Sequence, residues 1–210
     1  MTLKTQLNRP AKVFSRFVGK NIVSGLIAIF LSSSMLAANV QADDGMAELK
    51  KVLKSQIDMM TPELQAKVNG LSTDTKMSLM AILAMHSRYS DEATLRQVML
   101  EVLADYQTMV MGIMTDSAEM TADSARRLAN HRIPVGGLLP YLGMDNISDD
   151  RLAVLETFND SVEGNANKLA DAAEKGDMAT ASELLGAISS GCVGCHAVFR
   201  TLPGKSDLLK

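Results

Sequence analysis

From residue 45 onward the apolar positions recur at intervals of three and four, the period of helices packed on one face rather than the alternation of strands. Two amphipathic segments, about 45–60 and 74–88, are parted by TPELQAKVNGLSTD, in which Gly70 closes one helix and Ser72 to Asp74 cap the next. They predict an antiparallel hairpin. A longer helix is predicted over about 92–115, entered through Ser90-Asp91-Glu92 and carrying Leu95, Met99, Val102, Tyr106, Met109 and Ile113 on one face. The next, about 118–131, turns Ala122, Ala125, Leu128 and Ala129 inward and stops at NHRIPVGGLLPYLG, where prolines and glycines preclude a continuous helix. A fifth, about 150–174, keeps Leu152, Leu155, Val162, Ala166, Leu169 and Ala173 in register, and Lys175-Gly176-Asp177 forms a tight turn. The sixth, about 178–201, aligns Leu184, Ile188, Cys192, Cys195 and Phe199. The expected fold is all-α: a four-helix bundle over 91–210 preceded by a helical hairpin over 43–90.

Composition agrees. The 210 residues include no tryptophan, few aromatics and 15 methionines, which favours helices over a sandwich or barrel. Methionine fills helical cores readily, so Met59, Met60, Met77, Met80 and Met85 read as packing residues or a partner surface before they read as soft copper ligands.

The first 42 residues stand apart. Lys4, Arg9, Lys12, Arg16 and Lys20 precede an apolar run from Ile22 to Ala38, and Val40 and Ala42 occupy the small-residue positions of a signal-peptidase site. The expectation is a signal peptide over 1–42 and export to the periplasm; an uncleaved N-terminal membrane anchor is the alternative. No second apolar run of spanning length is expected. The remaining 168 residues hold 16 basic against 24 acidic side chains, a net charge near −8, which excludes a basic nucleic-acid footprint.

The chain has two cysteines, and they sit together: Cys192-Val193-Gly194-Cys195-His196 is C-x-x-C-H, the pattern of covalent haem attachment. Two thiols at this spacing reach the two vinyl groups on one porphyrin edge, and the next histidine can meet the iron. A thioredoxin-like dithiol would follow a strand in a βαβ pattern, which is missing here. A zinc site would need further ligands at close spacing, and only His86 and His131 remain.

The motif lies near the carboxyl end of an alanine-rich helical chain, and there the sequence resembles the class II c-type cytochromes, the cytochrome c′ and cytochrome c-556 family. The likeness spans about 92 to 201 and is strongest in NKLADAAEKGDMATASELLGAISSGCVGCHAVFR; LRQVM and ARRLANHRIP add weaker matches, and residues 43 to 90 have no counterpart. The resemblance implies one haem c, bound through Cys192 and Cys195, with His196 as proximal iron ligand. It implies an electron carrier rather than an enzyme, served by haem-attachment machinery and by periplasmic redox partners. It also implies a homodimer through the first two bundle helices, unless residues 43 to 90 cover that surface.

The remaining roles stay open. Arg200 stands one turn after His196, where the family resemblance implies a cation beside the proximal imidazole; an ordinary helix-end cation is the plain alternative. On the distal side, matching Arg96-Gln97 to the family's similar pair puts Leu100 over the iron, whereas periodicity favours Met99. Methionine there implies a six-coordinate electron carrier; leucine implies an open site that binds nitric oxide or carbon monoxide, as a gas scavenger or sensor. His131 and His86 are the other possible iron ligands: His131 reads first as a helix-end cation, and His86 could fold over the haem edge. Asp149, Asp150, Asp171, Glu174 and Asp177 read as solvated faces that could steer a basic partner.

Overall fold

A computed structural model describes residues 45–199 and 206–210; the segment expected to direct export lies outside them. The described residues are mostly helical, with two isolated bridges and no strand among them. Helix α1 covers 45–58. Helix α2, Pro62–Asn69, occupies the stretch expected to be a link. Pro62 opens it, where a missing N–H costs nothing, and Leu64 and Val68, four apart, are buried. The amino-terminal part is therefore three helices rather than a two-helix hairpin.

Helix α3, Thr73–Ala84, starts on Ser72, whose Oγ accepts from the Thr75 N–H at 3.1 Å, and it ends earlier than expected. Residues 86 to 90 thereby leave the helix and cross to the end of another: Ser90 N–H donates to Ile133 O, and Ser87 N–H to Asn130 Oδ1. Helix α4, Leu95–Met114, begins at Thr94 rather than at Ser90. Thr94 Oγ1 accepts from the Gln97 N–H while Gln97 Oε1 accepts from the Thr94 N–H, a reciprocal cap that satisfies two orphan donors. Ser90 instead closes a local turn on Glu92 and Ala93.

Helix α5, Ala118–Ala129, is followed by an irregular stretch in which Gly136, Gly137 and Gly143 adopt φ of 73°, 78° and 84°. The expected fifth helix is realised as one interrupted rod: α6, Asp149–Leu152; α7, Val154–Asn159; a π-helical turn, Asp160–Gly164; and α8, Asn165–Glu174. After the Gly176 turn comes α9, Met178–Phe199. Asp177 caps it, accepting from the Thr180 N–H at 3.0 Å.

Helix α4 packs on α5, α5 on α8, α8 on α9, and α9 reaches back to α4. Met109, Ala125, Leu128, Leu169, Ala173, Ala181 and Ile188 fill the space between them. Small side chains allow close approach: a Cβ on Gly112 would lie 2.8 Å from the Thr121 backbone nitrogen. Arg126 pairs with Asp171 and Glu174, and Arg127 with Asp105 at 2.8 Å, so two acids expected on a free face link α5 to α8. A second cluster joins Met60, Leu64 and Val68 to Leu139, Leu142, Ile147, Leu155 and Phe199, making α2 part of the core beneath the irregular stretch. Residues 206–210 close over it, with Thr61 N–H donating to Leu208 O and Lys210 N–H to Met59 O, both at 2.9 Å. Of the five methionines read as packing, Met60 is buried, Met59 and Met80 are half-buried, and Met77 and Met85 are exposed.

One expectation about apolar runs is corrected. Helix α9 is long and apolar enough to cross a membrane by length and composition, with a mean hydropathy of 1.2 over its best window. Its alanines, cysteines, leucines, isoleucine and valines raise that average, while the helix lies against α8, α7 and the π-helical turn.

Candidate functional site

Helix α9 carries Ile188, Cys192, Cys195 and Phe199 at spacings of four, three and four, which keeps them near one face. Ile188 and Phe199 are buried; both cysteines are half-buried free thiols. Cys192 packs against the cluster between α4, α5, α8 and α9, and Cys195 against the cluster that contains Leu155, Phe158 and Phe199. Phe158 and Phe199 meet edge to face, with centroids 6.3 Å apart. The motif thus sits where the two cores join.

Glycines bring α9 down onto the preceding rod. A Cβ on Gly191 would lie 2.6 Å from Ser161 Oγ and 2.8 Å from Val162 Cγ2, and one on Gly194 would lie 3.0 Å from the Phe158 ring. Burial, then the Glu163 carboxylate, pushes both thiols above their usual range, Cys195 to about 11. A redox dithiol needs the opposite, a thiol lowered toward neutrality. These sulfurs are protonated, apolar and shielded.

His196 follows on the exposed side of α9. Arg200 lies outside the described residues. On α4, Val98 is fully buried, Met99 half-buried and Leu100 59% exposed. Tyr106 Oη and Ser189 Oγ lie 2.5 Å apart, tying α4 to α9. The two helices run antiparallel, so Met99, seven residues before Tyr106, comes level with His196, seven after Ser189.

The two other histidines come together. Their ring centroids are 4.6 Å apart, and His131 Nε2 lies 3.1 Å from Glu163 Oε1. Burial, then the neighbouring His131, lowers the His86 pKa and keeps that ring neutral. For His131 burial is the largest influence and acts downward, but the Glu163 hydrogen bond and charge, with the Arg132 carbonyl, outweigh it and raise the pKa. His131 is therefore an ion-pair partner as well as a helix-end residue.

Glu163 escaped the sequence reading. It stands on the π-helical turn, whose extra residue rotates the following positions by about 100° relative to a regular helix. No periodicity marks such a turn in advance. Comparison with protein-family models, with curated proteins and with solved structures finds no match to this chain.

Proposed function

We propose that this chain is an exported single-haem c-type cytochrome, a four-helix bundle of the cytochrome c′ kind built from α4, α5, the α7–α8 rod and α9, with α1 to α3 added in front, and that it carries electrons between periplasmic partners. The observation that carries the reading is the C-x-x-C-H stretch, Cys192 to His196, with its two thiols half-buried on α9. Its donor set fits the group: two free, protonated thiols and an imidazole within five residues, beside apolar Leu155, Phe158, Val162 and Phe199.

Each thiol would add across one vinyl group, the sulfur forming the C–S bond and the proton going to the adjacent carbon. His196 would hold the iron on one side; Met99 is the candidate for the other, being level with His196 and turned further inward than Leu100. Haem bound there supplies an iron that cycles between two oxidation states at a potential set by ligands and burial. The protein's own contribution is to fix the attachment, exclude water with the apolar side chains around both thiols, and present a net negative surface to basic partners. No side chain transforms a substrate in this reading.

The test is an absorption spectrum of the periplasmically matured protein, oxidised, reduced, and reduced under carbon monoxide. A low-spin spectrum unmoved by carbon monoxide is expected, turning high-spin in Met99→Ala. A high-spin spectrum that sharpens with carbon monoxide would replace the carrier with the gas-binding alternative beside Leu100. Colourless protein, or haem that survives denaturing electrophoresis in the Cys192→Ala/Cys195→Ala double variant, would overturn the attachment itself.

A further inference from the structure

We infer that His86, His131 and Glu163 form a binding site for one divalent first-row transition-metal ion, separate from the C-x-x-C-H stretch. The three side chains come from different places: the segment after α3, the end of α5, and the π-helical turn. Their ligand atoms all lie within 4.8 Å of one another, and among the described residues they are the one such group. Nitrogen and oxygen ligands stand about 2.0–2.2 Å from a zinc ion, so tetrahedral ligands are roughly 3.5 Å apart. Closing the site takes side-chain movements of about 1 Å.

The imidazoles are already oriented. His86 Nδ1 lies 3.0 Å from Ile82 O and His131 Nδ1 lies 2.9 Å from Arg132 O. A carbonyl accepts only from an N–H, so Nδ1 carries the proton in both rings. That leaves Nε2 as the ligating atom of each ring, bare in neutral His86 and, in His131, freed when the proton it shares with Glu163 Oε1 leaves on metal binding, the second-shell arrangement that metal-bound histidines use.

Two of the remaining atoms lack partners. His86 is 5% exposed, and its Nε2 is buried without a hydrogen bond. Glu163 Oε1 accepts from His131 Nε2, while its Oε2 is buried and unpaired. Buried polar atoms of this kind are costly unless something satisfies them. The His131–Glu163 pair alone could be a structural ion pair; it leaves His86 Nε2 and Glu163 Oε2 unaccounted for, and a cation satisfies both. Asn159, four residues before Glu163, adds a third unpartnered buried atom, Oδ1, and its Nδ2 lies 3.7 Å from Sδ of Met85, next to His86.

Two imidazoles and one carboxylate suit zinc, ferrous iron or cobalt rather than calcium or magnesium, which take oxygen ligands. The π-helical turn is what aims the carboxylate, and π-bulges recur at functional sites.

The experiment uses full-length, untagged, periplasmically matured protein, stripped with a chelator, loaded with zinc chloride and desalted. Zinc is counted by mass spectrometry and covalent haem separately on a denaturing gel, so failure of this site and failure of the haem reading are distinguishable. One zinc per chain is expected, with affinity at least tenfold weaker in each of His86→Gln, His131→Gln and Glu163→Gln. Because those variants alter buried polar groups, the wild-type melting temperature is also followed, and it should rise with zinc concentration as binding to the folded state requires. No retained zinc, or equal retention by the triple variant, would overturn the site. A haem spectrum altered by His86→Gln in zinc-free protein would also overturn it, by assigning His86 to the iron.

Discussion

Helix α9 contains two glycines five residues apart whose substitution by alanine should act in opposite directions. Gly186 faces open space, with nothing within 4 Å of an added Cβ. Alanine there removes the backbone-entropy penalty of a helical glycine and should stabilise the protein by about 1 kcal/mol. Gly191 has the same helical gain available, but its Cβ would meet Ser161 Oγ at 2.6 Å, Val162 Cγ2 at 2.8 Å and the Ser161 carbonyl carbon at 3.2 Å. The serine hydroxyl can rotate away; the β-branched valine and the backbone cannot without moving α9. Overpacking of this kind costs about 1–3 kcal/mol. The propensity term is shared, so the difference between the two variants isolates the packing term, with Gly191→Ala about 1–3 kcal/mol the less stable. Urea unfolding followed by far-ultraviolet circular dichroism measures it, and each kcal/mol shifts the melting temperature by about 2–4 °C in a protein of this size. Equal stability of the two variants would refute the close seat of α9 on the π-helical turn, and with it the placement of Cys192 beside that turn.

Two further outcomes test other parts of the fold. Leu64, fully buried in α2, should cost about 2–5 kcal/mol on truncation to alanine in urea unfolding; a change near zero would mean that α2 is an appendage rather than core. Asp177 accepts from the Thr180 N–H and hydroxyl at the start of α9, which lowers its carboxyl pKa in the folded state. The stability it adds is present above the ordinary carboxylate value and is lost as pH falls through the lowered folded value. Asp177→Asn should therefore differ from wild type at neutral pH and converge with it in acid; a pH-independent difference would show that charge is not what the cap uses.

Much of the helical layout was legible because helical period and capping are local. The stripes over 95–113, 122–129, 152–173 and 184–199 place α4, α5, the α7–α8 rod and α9 close to where they are found. The spacing of Cys192, Cys195 and His196 was legible for the same reason: five consecutive residues carry their own pattern. Misreadings came where a local signal has two meanings. TPELQAKVNGLSTD reads as a link, yet Pro62 serves as the first residue of α2 within it; Ser90 reads as a helix entry and closes a turn, because Thr94 and Gln97 make the reciprocal cap.

What only the tertiary structure decided is the meeting of residues distant along the chain. His86, His131 and Glu163 are 45 and 32 residues apart, and nothing in the sequence around any one of them points to the other two. They meet because α3 ends before His86, because the following segment crosses the end of α5, and because a π-helical turn rotates Glu163 onto the same point. None of those three events has a period. A residue's immediate neighbours determine whether it can be helical, whereas the partner that a buried imidazole or carboxylate finds depends on how whole helices pack, where the low dielectric makes every unpaired polar atom count.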